Sequence, residues 1–576
     1  MFFVYDTFMP KTDSLLQLHP NPYFERKDFW LLDGIWDFAI TKSPTPPESY
    51  PLSIKVPFAV ETKASQVGQM VGKGDFLHYR LSFDLPSSFD KGCVLLHFTY
   101  VDQVPDVYLN GELLGHHEGG YVPFHFELGK LKEKGNILQV VVSDDVDSPI
   151  YPRGKQSRNP HGIWYTATSG IYGSVYLESA PKRHFEQFAA KTKGLSLILE
   201  GDPLLEGAEY AIFEHGELRQ SGRYENAPID CSSFASLWTP EAPYVYKLVL
   251  KSGEDEVSCQ IAFRDVGVIS RGEANSVSLN GKPVFLTGVL DQGYWLETGL
   301  TPPSREAAEK DIKTMKELGF NVLRKHIKAE PLWWYALCDT LGMMVIQDVP
   351  NAGDAYNPIL ITTAPFVKYR FDDKKAFSQR ILGRADERSR SFFASMLEPF
   401  IRHLAVCPCI VAWTLFNEGW GQFNAEEFTK RLRLIDDTRL IDSTSGWYDQ
   451  QCGDFLSKHV YFKKIKRPNG QESDERIPII SEFGGYSFEV KGHSYASKRS
   501  FGYGKVESAE ELTAKIEKLY KEQIIPYAKT WLCGAIYTQL SDVENELNGL
   551  FTFDRESLKV DAARIKALNE ELKGSY

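Results

Sequence analysis

Two glutamates close apolar runs: Glu418 in WTLFNEGWG (413–421) and Glu482 in PIISEFGG (478–485). In each, about five residues of strand-like sequence lead into a turn rich in glycine and aromatics. Buried parallel strands read as continuous Val/Ile/Leu runs, and barrel enzymes place their chemistry where such strands end. Two carboxylates presented in this way suit glycoside hydrolysis, in which one protonates the leaving oxygen and the other attacks the sugar or activates water. One strand–Glu junction alone is equally well read as a carboxylate favoured by a helix dipole. The pair, set in the pattern below, is read as chemistry.

The elements that must carry these residues fall into three textures. Residues 1–180 show short apolar or alternating runs (VLLHFTY, DVYLN, FHFEL, ILQVVVS, SVYLE) broken by Gly, Pro, Asn and Asp, which predicts a jelly-roll β-sandwich. Asn110-Gly111 is a two-residue hairpin signal. The stretch Tyr151–Ile171 carries Trp164 and Tyr165 and reads as a long ordered loop. Residues 181–269 (LSLILE, AEYAIFEH, YVYKLVL, VSCQIAF) read as a small immunoglobulin-like β-sandwich. From 270 to 576 strand runs alternate with helical patterns: VFLTGVLD, NVLRKH, MMVIQD, IVAWTLF, LIDSTS, LSKHVYF, PIISEF and WLCGAIYTQL. That is the strand count of a (β/α)8 TIM barrel with helical crossovers, Glu418 following the fourth strand and Glu482 the seventh. The fold class expected is therefore multidomain β plus α/β.

A net charge of −12 argues against nucleic acid as a partner and not against a neutral sugar. Aromatics at 13% suit sugar faces and β cores alike. Met1–Asp13 lacks the basic start and apolar core of a signal peptide, and no apolar run is long enough to span a bilayer, so the reading is a cytoplasmic protein without a membrane partner. Of the eight cysteines only Cys407 and Cys409 are close, and no HxH, HExxH or Cys/His ligand cluster occurs, so neither metal nor cofactor is expected.

The whole chain resembles glycoside hydrolase family two, the group of β-galactosidases, β-glucuronidases and β-mannosidases. The likeness rests on LDGIWDF (32–38), VYLNGELLGHHEGGYVPFHF (107–126), SGIYGSVYLE (169–178), LWTPEAPYVY (237–246), LGFNVLRKHIKAEPLWWYALCDTLGMMVIQD (318–348), FNEGW (416–420), SEFGG (481–485) and NGLFTFDR (548–555). It implies a sugar-binding jelly roll, an immunoglobulin-like sandwich and a TIM barrel. By it, Glu418 looks like the acid/base, Asn417 like the ligand of the sugar 2-hydroxyl, and Glu482 like the nucleophile of a retaining double displacement. Arg324 and His326 match the Arg/His pair at the second strand end, and Tyr461 matches the tyrosine that hydrogen-bonds the nucleophile. Tyr537 lies near a pocket-wall tryptophan of the relatives. Asp348, ending the third strand, is expected among the substrate-binding carboxylates or behind them.

Two positions depart from that pattern. Where galactosidases and glucuronidases share an Arg-His pair at the first strand end, this chain has Asp291-Gln292; where they have an aspartate before the SGI motif, it has Trp164. Tryptophan supplies a stacking face but no acceptor for hydroxyls. The expected function is an exo-acting retaining β-glycosidase, galactosidase-like, on a small glycoside or oligosaccharide. A β-uronidase is the alternative within the family, with Lys463, Lys464, Lys466 and Arg467 as basic candidates for a sugar carboxylate, although the glucuronidase Asn-x-Lys clamp is not evident around Tyr461–Gln471. From another class, a non-catalytic carbohydrate-binding protein would have lost a carboxylate, and both are present. Relatives often form dimers or tetramers, which makes a homo-oligomer an expectation of the resemblance. The insertion Asn351–Arg384 after the third strand is expected to cover the catalytic face.

Overall fold

A computed structural model describes residues 18–129, 131–355, 357, 371–461, 463–467, 474–495 and 501–576. The first unit is a sandwich of two antiparallel sheets. One contains strands Phe29–Leu31, Val175–Ala180, Cys93–Phe98 and Phe124–Glu127. The other has six strands, with Phe76–Phe83 and Asn136–Ser143 paired at its centre. Alternate residues such as Leu77, Tyr79, Leu138, Val140 and Val142 point into a shared core. Asn110 and Gly111 turn the Val104–Leu109/Glu112–His116 hairpin with φ of 52° and 86°, the positive pair a tight hairpin demands.

The second unit packs a sheet of Ala189–Lys193, Ser196–Glu200 and Ile229–Asp230 against a four-stranded sheet centred on Glu209–Glu214 and Tyr246–Ser252. Leu197, Leu199, Ile212, Leu248 and Leu250 fill its core. Strands Val266–Arg271, Ala274–Leu279 and Lys282–Val284 then lead into the barrel, where Val277 and Leu279 join the core below its first strand.

We number the barrel strands β1 (Leu286–Asp291), β2 (Val322–Lys325), β3 (Met344–Asp348), β4 (Ile410–Asn417), β5 (Leu440–Ser445), β6 (Phe455–Val460), β7 (Ile477–Gly484) and β8 (Gly534–Thr538). They form one parallel eight-stranded sheet in the order β5-β4-β3-β2-β1-β8-β7-β6. The edges β5 and β6 are drawn together by the bond from Asp454 N to Ile441 O (2.7 Å). They are joined by the loop 446–454, which contains no helix. Helices α1 (Arg305–Glu317), α2 (Leu332–Leu341), α3 (Glu387–Leu404), α4 (Ala425–Ile435), α5 (Ala509–Leu519) and α6 (Ala562–Gly574) accompany the barrel. Ser304, Asp386, Ser508 and Asp561 cap α1, α3, α5 and α6 through their side chains.

Strand alternation sorts the barrel residues into two sets. Leu286, Leu290, Val322, Ile346, Leu440, Ile479 and Ile536 pack inside, whereas Val289, Leu323, Val345, Ile480 and Tyr537 pack against the surrounding helices. No helix among the described residues is long and apolar enough to cross a membrane.

Candidate active site

Arg324, at the C-terminal end of β2, points into the barrel mouth and binds four residues. Nε and Nη2 donate to the two oxygens of Asp348 (3.1 and 3.0 Å), Nη1 donates to Glu482 Oε1 (3.1 Å) and Ser481 O (3.2 Å), and Nη2 also donates to Asn417 Oδ1 (2.8 Å). One buried guanidinium thus ties together the ends of β3, β4 and β7, which Arg does well because its planar fork has five fixed donors. His326 donates from Nδ1 to Asp348 Oδ2 (2.8 Å), leaving Nε2 as an acceptor. Burial pushes the His326 imidazole below its usual range despite Asp348, so the ring is neutral near pH 7.

Glu482 accepts a second bond, from the Tyr461 hydroxyl, at Oε2. Tyr461 follows β6 directly, stacks on Tyr503 (3.6 Å between ring centres) and lies 3.2 Å from Thr538 Oγ1. Burial alone raises the Glu482 carboxyl, but His459, Arg324, His326 and the Tyr461 hydroxyl hold it below the ordinary carboxylate range. Glu482 is therefore ionised at neutral pH.

Glu418 follows β4 with φ of 52°, a left-handed conformation unusual for a non-glycine residue, fixed by the bond from its N–H to Ser445 O (2.9 Å). Its Oε1 lies 2.8 Å from His459 Nδ1. Ligand atoms of Glu418, His459 and Glu482 all lie within 4.8 Å of one another. Such a set could hold a cation, yet the Arg324 guanidinium on Glu482 already supplies the positive charge there. A more exposed set, His493, Asp554 and Glu556, is the other group of this kind among the described residues.

Sequence reading did not single out His459. Its signal lay in the alternation of LSKHVYF, which puts Ser457, His459 and Tyr461 on one face. Gly446 makes room for the ring, since a Cβ there would sit 2.7 Å from the imidazole. Thr538 was likewise missed. Tyr537, proposed from the relatives, is on the outer face of β8 against Phe483, and its neighbour Thr538 faces the site instead.

Asp291 is also on an outer face. It accepts from Lys325 Nζ (2.5 Å), which donates in turn to Glu330 (2.7 Å), so the structure places it in a buried ion cluster beside the barrel rather than against the two glutamates. Gln292 is buried, and its Oε1 has no hydrogen-bond partner among the described residues. Trp164 packs edge-on against Trp420 (5.2 Å), and both line a cavity with Lys155, Ile327, Asn351, Asn417 and Glu418. The insertion is pinned at both ends behind Glu418: Asp354 O accepts from Trp420 Nε1 (3.2 Å), and Arg384 donates to Gly421 O (2.9 Å). Its centre, 358–370, lies outside the described residues. Lys463, Lys464 and Lys466 are exposed, and Arg467 pairs with Glu273.

A parallel eight-stranded barrel with two glutamates facing each other from the C-terminal ends of β4 and β7, one locked by arginine and tyrosine, defines the two-carboxylate class of barrel proteins. Residues 272–571 match the family described as "Glycosyl hydrolases family 2, TIM barrel domain", and the chain belongs to that family. A β-galactosidase of Priestia megaterium is 24% identical over 451 residues, covering 72% of this chain and 39% of that protein. The chain thus spans about two fifths of the length of such relatives. A β-glucuronidase of an uncultured Clostridium superposes over 100% of both chains with a TM-score of 0.72 at 17% identity. A family 2 β-galacturonidase of Eisenbergiella tayi superposes over 97% of this chain and 99% of its own, with a TM-score of 0.69 at 15% identity. At these identities the superpositions speak to fold.

Proposed function

We propose that the protein is a retaining exo-β-glycosidase that hydrolyses a terminal β-linked sugar, with Glu482 as nucleophile and Glu418 as acid/base. The observation that carries the reading is the placement of the two carboxylates within 4.8 Å, with Glu482 charged and oriented by Arg324 and Tyr461. Retaining enzymes hold their carboxyls about 5–5.5 Å apart, whereas inverting ones leave room for a water. Glu482 attacks C1 while Glu418 gives its proton to the leaving oxygen, forming a glycosyl ester. Glu418 then takes a proton from water, which attacks C1 and frees Glu482. Asn417, its Oδ1 held by Arg324, is left with an amide N–H to offer the sugar 2-hydroxyl. His326 Nε2 and Gln292 Oε1 are acceptors for further hydroxyls. Trp164 and Trp420 supply apolar walls.

The β-galactosidases among the relatives favour a galactoside as the glycone. One observation favours a β-uronide: Lys155, from the long jelly-roll loop, lines the cavity beside Glu418 and has no ion pair among the described residues. A sugar carboxylate would supply that partner. The test is a panel of p-nitrophenyl β-galactoside, β-glucuronide, β-galacturonide, β-mannoside and β-glucoside, with Glu482→Gln and Lys155→Met as controls. Cleavage abolished by Glu482→Gln supports the glycosidase reading. Uronide cleavage lost in Lys155→Met, with neutral sugars unaffected, selects the uronide. A folded protein inert to the whole panel would favour a carbohydrate-binding role.

A further inference from the structure

Part of the cavity wall beside Glu418 comes from outside the barrel: Lys155 and Trp164 belong to the jelly roll. The segment that carries them is tied to the barrel on two sides. Arg153 N and Gly154 N donate to Asn351 O, after β3 (3.0 and 3.2 Å). At the other end, the Thr166 N–H donates to Glu544 Oε1 (2.7 Å), and the Tyr165 hydroxyl donates to Glu546 Oε2. Both glutamates come from the loop after β8. Glu544 has φ of 49°, left-handed, in a turn closed by reciprocal backbone bonds between Val543 and Glu546 (3.0 and 2.9 Å). Such a conformation is costly for a residue with a side chain and persists where the surroundings fix it. Behind Glu546, Asn548 Nδ2 donates to Oε1 (3.0 Å), and Asn548 Oδ1 accepts from Gln539 Nε2 (2.8 Å). Gln539 follows β8 directly, so a buried polar chain runs from the end of a barrel strand to Tyr165, the neighbour of Trp164.

Within the segment these ties are passed on by the backbone. Tyr165 N donates to Lys155 O (2.9 Å), Gln156–Ser157 pairs with Tyr165–Thr166, and His161 and Trp164 exchange backbone bonds (2.9 Å each). A shift of Tyr165 and Thr166 therefore carries Trp164 and Lys155 with it. We propose that Glu544 and Glu546 are positioning residues for substrate binding: they hold Thr166 and Tyr165, and through them fix where Trp164 and Lys155 stand beside Glu418. The inference rests on the proposed role of that cavity as the substrate site. Neither contact depends on charge, because a carboxyl oxygen accepts from an N–H or O–H whether its group is ionised or not. Lost register weakens substrate binding and leaves the bond-breaking step to Glu418 and Glu482.

The experiment compares wild type, Glu544→Ala, Glu544→Gln and Tyr165→Phe on the p-nitrophenyl glycoside that the wild type cleaves. Hydrogen exchange of the peptide spanning 154–168 is followed in parallel by mass spectrometry. For Glu544→Ala and Tyr165→Phe we expect KM to rise about tenfold with kcat within about twofold, the pattern of binding lost without a change in chemistry. Glu544→Gln keeps an amide oxygen for the Thr166 N–H and should return KM to the wild-type value. Exchange at 154–168 should quicken in Glu544→Ala and not in the peptides of β4 and β7. A lowered melting temperature with KM unmoved would mark the contacts as structural and overturn the proposal, as would a fall in kcat at constant KM. Should Glu544→Ala show no cooperative melt, Tyr165→Phe, which removes one hydroxyl, carries the test. An inactive wild type removes the glycosidase reading, and exchange at 154–168 then decides the clasp alone: quickened exchange sustains it and unchanged exchange overturns it.

Discussion

Arg324 sets the charge state of the site. Removing it (Arg324→Met) leaves buried Glu482 without its cation, and the acid limb of kcat/KM should move to higher pH. The sign follows from the shift. A carboxyl held below its ordinary range is active down to low pH, and losing the cation lets burial raise it. A limb that does not move would show that His459, His326 and Tyr461 suffice. Tyr461→Phe deletes one hydrogen bond to a charged carboxylate, worth about 1.5–3 kcal/mol, so kcat/KM should drop by roughly 10- to 150-fold in steady-state assays. The residues legible in the sequence were those that end an apolar run in a charge: Glu418, Glu482, Arg324 and Asp348. Tyr537 was displaced by one position, because family likeness places a neighbourhood while strand alternation decides which face a side chain takes. Lys155 could not be read at all, since only nonlocal packing of the jelly-roll loop brings it to the barrel mouth.

Eight apolar runs at the spacing of a barrel were visible because parallel strands covered on both sides need near-continuous hydrophobic sequence. The crossover between β5 and β6 was not, because the short polar stretch SGWYDQQCG carries neither helical nor strand periodicity. Its ordering depends on contacts such as the Arg476 guanidinium on Asp449 (2.7 and 2.9 Å). Helix α3 shows how little of its own stability bears on chemistry. Asp386 accepts from Ser389 N (2.8 Å) at its start, so Asp386→Ala should cost about 1 kcal/mol in denaturant unfolding. Its kcat should stay at the wild-type value. A larger kinetic effect would mean that α3 transmits to the Glu418 turn.

A short N-terminal segment bridges the three units. Arg26 donates to Glu178 (3.1 Å) in the jelly roll and Asp255 (3.0 Å) in the second sandwich, while Tyr23 bonds Asp339 at the end of α2. Tyr100, Tyr121, Tyr165 and Tyr172 from the jelly roll share a core with barrel residues such as Leu323 and Trp413. Arg26→Met would strand two buried carboxylates and should destabilise the fold by about 3–5 kcal/mol in equilibrium unfolding. Burial alone would raise the Glu178 carboxyl, but His97 and His19 hold it well below the usual range. Its contribution to stability is therefore complete above the unfolded carboxylate pKa and is lost as pH falls through the folded value. Loss of Arg26 should accordingly raise the pH at which acid unfolding begins; an unchanged onset would show that the histidines alone hold Glu178.

The most direct test of the catalytic assignment is to incubate the protein with 2-deoxy-2-fluoro-β-galactosyl and β-glucuronyl fluorides and locate any adduct by peptide mass spectrometry. We expect one fluoroglycosyl group, from one of the two reagents, on the peptide containing Glu482, and no adduct in Glu482→Gln. An adduct on Glu418 or elsewhere, or hydrolysis of a β-glycoside that releases the α-anomer first, would contradict Glu482 as the nucleophile of a retaining enzyme.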